Sequence, residues 1–408
     1  MESEIAGWLS VVFRFVHVIA AIMWIGNSLL FTWMELNLIA PEPDEDGKIP
    51  DPALLGHLDM LHGGGVFHLE KRIINPRAIP VPLHWFMWQS YTTWISGTLL
   101  LISVFYLHGG SGLLNPTSMD LQGWKAIGLS VAGIIGWWLV YDTIWRTKLK
   151  ERPAVAVPLT LALVLAAAFF FNQYFNGRAV FLQIGAMLGS SMSANVFLHI
   201  IQNQKKFMAS LLAGLPHDLK YGKQAKLRSM HNHYITFPVL FLMLSGHFPQ
   251  LTSAVHNVAI LGVLIVSLVA VKFLMNSRYD FPHWLVAIFG TFIAACFAIA
   301  GLLAIPADKA IAAEPATQEG AKLFVSQGCA ACHQVGASQL APNLQGVFGS
   351  VQTLTDETKI IADEAYLRNS IKTPQRQIVK GYPPSMPPFA HLSEGQIDQL
   401  VAYVKSLK

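Results

Sequence analysis

Residues 284–333 read WLVAIFGTFIAACFAIAGLLAIPADKAIAAEPATQEGAKLFVSQGCAACH, and three environments follow one another along them. The run 284–305 has no charged side chain and is long enough, as a helix, to cross the roughly 30 Å hydrocarbon core of a bilayer. Residues 306–318 are rich in Ala and Pro and read as a linker. The segment after it is polar and amphipathic, and it ends in CAACH at 329–333, two thiols three positions apart beside an imidazole. The stretch therefore predicts a membrane domain over 1–305, a linker over 306–318 and a small soluble domain over 319–408.

The rest of the chain repeats the first of these patterns. Apolar runs of span length occur near 8–34, 85–107, 124–145, 154–173, 178–201, 231–250, 254–275 and 284–305. The expected fold is all-α: a polytopic bundle of about eight transmembrane helices followed by a small helical domain. Composition agrees. The chain of 408 residues is 53% hydrophobic and only 13% charged, about half the charge of an ordinary soluble protein. That excludes a disordered chain, and the dispersed net charge of +4 gives no footing for a nucleic-acid partner. Three cysteines rule out a disulfide scaffold.

Charge asymmetry sets the expected orientation. Of the Lys and Arg residues before 305, sixteen fall in alternate loops (Lys48, Lys71, Arg72, Arg77; Arg146 to Arg152; Lys205 to Arg228; Lys272, Arg278), and three, Arg14, Lys125 and Arg178, on the other side. Basic loops remain cytoplasmic. The N-terminus and, after eight spans, the C-terminal domain are then outside, in the periplasm of a bacterial inner membrane. The first run is too long, and lacks the basic start, for a cleaved signal peptide. The longest cytoplasmic loop, 35–84, begins acidic and Pro-rich, continues as a candidate interfacial helix and ends in prolines from Pro76 to Pro82.

CAACH is the c-type haem attachment motif: Cys329 and Cys332 bond the haem vinyls and His333 supplies one axial ligand. A bare CxxC also fits a redox dithiol or half a zinc site, but YPPSMPPF at 382–389 presents a single thioether, Met386, in a rigid Pro-rich loop. His and Met ligation raises the iron potential and suits electron transfer. The last helix, about 393–406, is expected to pack across the helix at about 317–327. This region is similar to the single-haem cytochrome c domains, including those fused to subunit II of some haem–copper oxidases, through CAACH, APNLQGVFG at 341–349 and SMPPF.

Polar groups inside spans are costly and mark sites or mutual pairs. HGGGVFH at 62–68 reads either as a loop whose glycines let backbone approach a ligand or as a flexible turn. In HNH at 231–233 the two histidines point to different faces of a helix, so they do not share an ion, and one is expected at a helix end. His17, one turn after Arg14, and His247 lie in the outer halves of their spans. Cys296 reads as a small core residue.

The stretches RFVH at 14–17 through WIG at 24–26, HGGGVFH, LHWFMW at 83–88, TWISG at 93–97, SANVF at 193–197, NQK at 203–205, KYGK at 220–223 and RSMHN at 228–232 together resemble the PuuD-type membrane urate hydroxylases, over essentially residues 1–300. The resemblance implies oxidation of urate to 5-hydroxyisourate with cytochrome c, rather than oxygen, taking the electrons. Where that family has WFKWE, this chain has WFMWQ at 85–89, so a basic and an acidic group are replaced by Met87 and Gln89. His199 and His233 are also departures. The substrate expected is urate or a related purine, a planar anion that needs coplanar donors, aromatic faces and a base. His62, His68, Lys71 and His231 are the catalytic candidates, with His68 or His231 as base, Lys71 as anion partner and the glycine loop as a backbone donor.

Electrons from a cytoplasmic site have to cross the bilayer to reach an outer haem c. A second, non-covalent haem b in the membrane domain is therefore expected, with His17 and His247 as ligands and Arg14 for a propionate; alternatively, His17 only hydrogen-bonds a neighbouring helix. A soluble cytochrome c or a terminal oxidase would accept the electrons. The competing reading is a membrane-anchored cytochrome c electron carrier docking a terminal oxidase, with no substrate of its own. An anchor needs one span and no buried histidines, which disfavours it.

Overall fold

Helices occupy all eight expected apolar runs in the computed structural model. It describes residues 2–46, 48–49, 51–73, 83–107, 109–115, 121–213, 219–305, 315–333, 341–389 and 391–407. Arg77, the Pro76–Pro82 stretch and linker positions 306–314 lie outside the described residues. In chain order the membrane domain comprises α1 (Glu2–Leu36), β1 (Leu54–His62), β2 (Gly65–Arg72), α2 (Trp88–Leu101), α3 (Gly123–Arg146), α4 (Pro153–Asn172), α5 (Gly177–Ala194), α6 (Ile201–Leu212), α7 (Leu219–Leu244), the single turn α8 (Pro249–Thr252), α9 (Asn257–Asn276) and α10 (Trp284–Ala304). Two π-helical segments interrupt this pattern, Ile102–Tyr106 after α2 and Asn195–Ile200 between α5 and α6.

Among the described residues six helical stretches are long and apolar enough to cross a membrane: 7–36, 123–146, 153–172, 177–212, 257–276 and 284–304. The other two expected runs are helical as well. The run 85–107 is α2 prolonged by its π turn. The run 231–250 contains the C-terminal half of α7, whose first half carries Lys220, Lys223, Lys226 and Arg228.

The bundle is built around α5. Val180, Phe181 and Ile184 are fully buried and pack with Phe171 and Phe175 from the α4 end, Leu242 of α7, and Ile260 and Leu261 of α9. A closed polar knot ties α3 to α5. Ser130 donates to Gln183 Oε1 at 2.6 Å and the Gln183 amide donates to the Ser130 carbonyl at 2.9 Å, so neither group is left unsatisfied in the apolar core. By contrast α10 has no buried residue, and Phe297 is 76% and Val286 70% exposed. Such a wholly apolar outer helix fits a lipid environment. Cys296 is exposed on this helix and is not the core residue the sequence suggested, because α10 packs on α9 by one side only.

The interfacial helix expected in the long loop is a β-hairpin instead. Strands β1 and β2 pair antiparallel from Leu54↔Arg72 to His62↔Gly65. Gly63 and Gly64 have φ of 61° and 81°, the double positive φ that a two-residue hairpin turn demands. Glycine is about 1 kcal/mol worse than Ala in a helix, so the same triplet that closes the turn opposes a helix. The ligand-approach reading of the loop is therefore not needed to explain its glycines.

The soluble domain comprises α11 (Pro315–Ser326), the CAAC turn α12 (Cys329–Cys332), a small hairpin of β3 (Val351–Thr353) and β4 (Lys359–Ile361), α13 (Glu364–Lys372) and α14 (Glu394–Ser406). Helix α14 starts with a capping box between Ser393 and Gln396. It crosses α11 as expected, with the rings of Phe324 and Tyr403 centred 5.2 Å apart. Ile397, Leu400, Val401 and Val404 form its buried face against Tyr366 and Leu367 of α13.

His68 on β2 lies 2.7 Å from Asp59 on β1 and 3.6 Å from Glu70. The hydrogen bond that His68 donates to Asp59 and the charge of that carboxylate, with Glu70 adding to them, raise the His68 pKa above the ordinary 6.5. A raised folded-state pKa means the ion pair supports the hairpin fully below the ordinary value and loses that support as pH rises through the raised one. NMR titration of His68 is expected to give a value above 6.5 that falls back on Asp59→Asn.

Candidate functional site

The soluble domain holds an apolar cavity of about 220 Å³ lined by Cys329, Cys332, His333 and Met386, with Phe324, Leu367, Ile371, Phe389, Leu400 and Val404 in its walls. Both thiols are free, and the α12 turn brings them to the same wall as His333. The His333 Nδ1 lies 2.9 Å from the Pro342 carbonyl. Donation there fixes the tautomer and leaves Nε2 as the ligand nitrogen. Burial holds the His333 pKa below its ordinary value, keeping the imidazole neutral, and pushes the Cys329 thiol up. On the opposite wall Gln375 donates to the Pro384 carbonyl at 2.9 Å, bracing the loop that carries Met386. Two thiols, one neutral imidazole and one thioether around an apolar slot fit a covalently attached haem c with His and Met ligation.

In the membrane domain the densest polar group gathers α3, the Asn195–Ile200 π segment and α7. Asp142 on α3 accepts from Arg228 of α7 at 2.6 Å, lies 2.7 Å from His199 Nε2 and accepts from Arg146 at 2.7 Å. Next to it Tyr141 is 1% exposed, and its hydroxyl is 2.8 Å from His231 Nδ1. Asn195 donates to the Tyr141 oxygen and to Asn232 Oδ1, both at 2.9 Å, and Asn232 donates to the Met192 carbonyl at 2.9 Å. Since Tyr141 already accepts from Asn195, its own proton is available to His231 Nδ1. The Trp145 ring lies 4.1 Å from the His231 ring, while the indole N–H groups of Trp137 and Trp145 are buried without partners. The π turn matters here: a widened turn of this kind re-aims side chains and recurs at functional sites, and Asn195 and His199 both belong to it.

His233 faces the other way. Its Nε2 is 2.9 Å from Asn276 on α9 and its Nδ1 is 3.5 Å from Thr32 on α1. The two histidines of HNH thus do serve different faces. Neither is at a helix end, because α7 begins at Leu219, earlier than the apolar pattern alone indicates.

The hairpin candidates stand apart from this network. His62 sits beside the turn and is exposed; His68 is engaged by Asp59 and Glu70, and Lys71 by Glu35 at 2.5 Å. Of the four catalytic candidates only His231 is in the buried network. Asp142, Tyr141 and Arg228 were not among the candidates. Asp142 carried the readable signal, being an acid inside the apolar run 124–145. Gln89, which replaces the family's acid, has a buried side-chain oxygen without a partner.

Near the middle of α1, His17 Nδ1 lies 2.9 Å from the Thr93 carbonyl and 3.3 Å from Ser96 Oγ on α2. The approach is close: a Cβ added at Gly97 would lie 2.8 Å from the imidazole, so this helix crossing requires glycine. His17 therefore makes an inter-helix hydrogen bond through Nδ1, with Nε2 left over. Arg14 and Arg178 are near enough to repel one another, and Gly246, next to the exposed His247, abuts Arg178.

The urate oxidase N-terminal family matches residues 3–302 and the cytochrome c family matches residues 317–408. No curated protein matches the chain.

Replacing one partner of a buried ion pair strands the other charge and costs about 3–5 kcal/mol. Asp142→Asn is expected to lower the unfolding free energy of the purified protein by that order, because Arg228 is only 4% exposed. The double variant Asp142→Asn/Arg228→Met should lose less than the sum of the single variants, as denaturant titration in detergent will measure.

Proposed function

The chain belongs to the urate oxidase N-terminal family, and from that membership and its haem pocket we propose that it oxidises urate to 5-hydroxyisourate, or acts likewise on a related purine, and passes the electrons to haem c on the same chain. The observation that carries this reading is the joining, in one polypeptide, of a urate oxidase N-terminal domain with a pocket whose Cys329, Cys332, His333 and Met386 suit a covalent haem. The reaction consumes water: urate and one water give 5-hydroxyisourate, two protons and two electrons.

His231 is the base in this reading. Tyr141 can donate to Nδ1 or accept from it, so the imidazole can hold a proton on either nitrogen, and Asn195, anchored by Asn232 and by Arg228 at 3.4 Å, keeps the phenol in line. Trp145 shields one side of the imidazole from water. The exposed hairpin, with His62, His68 and Lys71, is assigned to the approach of the anionic substrate. Held by His333 and Met386, a haem would supply a one-electron carrier of raised potential, and the apolar walls would exclude water from it.

A finer part of the proposal is a haem b held by His17 and His247 with Arg14 and Arg178 for propionates. The free Nε2 of His17, and Arg178, which lies beside Gly246 and within electrostatic reach of Arg14, support it. The excess of basic residues in alternate loops supports a bacterial inner-membrane location with the N-terminus and the haem c domain (319–408) in the periplasm, where a soluble cytochrome c or a terminal oxidase would collect the electrons.

Urate added to the oxidised full-length protein without oxygen is expected to bring up the reduced haem c absorption band. No reduction by urate or by any related purine overturns the proposal. His231→Gln should abolish the reduction and leave the resting spectrum unchanged, whereas Met386→Ala should alter the spectrum itself. Acid–acetone extraction checks the haem b: active protein that releases no non-covalent haem would remove it.

A further inference from the structure

A haem carries two propionates, and none of the described residues that line the haem cavity is Lys, Arg, Asp or Glu. His333 is engaged at Nδ1 and keeps Nε2 for the iron. The charged side chains of the surrounding elements pair at the surface instead. Lys322 meets Glu319 on α11, and Lys380 meets Glu357 beside the β3–β4 hairpin. Between α13 and α14, Arg368 meets Asp398, Lys372 meets Glu394 and Lys405 meets Glu364. Asp356, Lys359, Asp363 and Arg376 are exposed. A carboxylate reaching into this cavity is therefore met by neutral groups.

The polar groups of the lining are occupied, with one exception. Gln327 lies 3.4 Å from His391, Gln352 donates to Ser350 at 2.7 Å and Gln375 donates to the Pro384 carbonyl. The Ser370 hydroxyl is within reach of the Tyr366 phenol. Gln377 has its side-chain oxygen buried without a partner, and its amide makes no hydrogen bond among the described residues. A buried amide left unpaired is costly. No contact fixes which end of it faces the cavity, so it can present its two N–H groups.

The place of Gln377 suits that task. It opens the segment that runs beside β3, where the Thr355 N–H donates to the Ile378 carbonyl at 2.9 Å and the Lys380 N–H to the Thr353 carbonyl at 2.8 Å. Its backbone is thus held, and it belongs to a different wall from α12. Thioether bonds at Cys329 and Cys332 would keep the vinyl edge of the porphyrin at α12. The propionates leave the opposite edge, so they would face a wall other than that one.

We infer that Gln377 receives a haem propionate through its amide N–H, as a neutral partner for a buried carboxylate. The inference rests on covalent attachment of haem c in this cavity and not on the identity of the substrate. Hydrogen bonds to the charged form keep a carboxylate ionised. A Lys or Arg partner would also cancel its charge, whereas an amide leaves that charge beside the iron. The negative charge favours ferric iron and offsets part of the rise in potential that methionine ligation brings.

The test uses the full-length protein in detergent, with redox titrations followed at the haem c band over a range of pH. Protonation of a propionate raises the midpoint potential. Gln377→Leu is expected to move that rise about one to two units up in pH, the loss of one hydrogen bond to a charged group, with the haem spectrum unchanged. Gln327→Leu, two residues before Cys329, should leave it in place. Redox-difference infrared spectra of protein with isotope-labelled haem carboxyl carbons decide the assignment. The labelled carboxylate band should shift in Gln377→Leu and not in Gln327→Leu; unmoved in Gln377→Leu, it overturns the inference whatever the potential does. Should Gln377→Leu hold no haem, Gln377→Glu, of nearly the same shape, takes its place. Two carboxylates in contact share a proton, so the labelled band should move there too, and an unmoved band overturns the inference. Wild type without covalent haem removes the attachment and the inference together. A shifted band in Gln377→Leu, in a protein that no purine reduces, leaves the inference standing and removes only the purine reading.

Discussion

A charge inside an apolar helix bundle has to be matched, and this requirement organises the membrane domain. Asp142 illustrates the matched case. It draws Arg228 from α7, His199 from the π segment and Arg146 from its own helix, and so fixes how three elements meet. Arg228 in turn reaches Asn195, and Asn195 orients both Tyr141 and Asn232. Remove the carboxylate and the chain of donors and acceptors ending at His231 loses its anchor. Lys272 is the contrasting case, a cation equally buried and left without an anion among the described residues.

The soluble domain meets its own constraint differently. It encloses a slot that its side chains do not fill, and closes it with local devices: the His333 bond to the Pro342 carbonyl, the Gln375 bond to the loop of Met386, and the crossing of α11 and α14. The interior is largely apolar, with the Gln377 side-chain oxygen buried in its lining without a partner. That arrangement suits a group that arrives with most of its own bonding capacity satisfied.

Much of this was legible in the sequence, for physical reasons that can be named. Spans are legible because hydrocarbon thickness imposes length and apolarity, and each of the eight runs is helical in the structure. The haem pocket was legible because CAACH and SMPPF combine rigid spacing with scarce residue types. The hairpin was missed because its glycines were weighed for ligand access and not for the φ they adopt, 61° and 81° at Gly63 and Gly64. The buried network was half seen: His231 was singled out, but Asp142, the acid that organises it, sits alone in the run 124–145 with its partners 57 and 86 positions away in sequence, at His199 and Arg228. No local pattern announces a contact of that separation. The Asn195–Ile200 π turn is likewise a product of tertiary packing and has no sequence period.

One claim joins the two domains: electrons leave a purine in the bundle and arrive at a haem on the same chain, with water and not oxygen supplying the new oxygen atom. Urate consumption, oxygen uptake and reduction of added soluble cytochrome c, followed together with the purified protein in air, test it most directly. Two cytochromes reduced per urate consumed, with no oxygen uptake attributable to urate, is the predicted result. Oxygen uptake matched to urate loss, while the chain's own haem c remains oxidised, would contradict it.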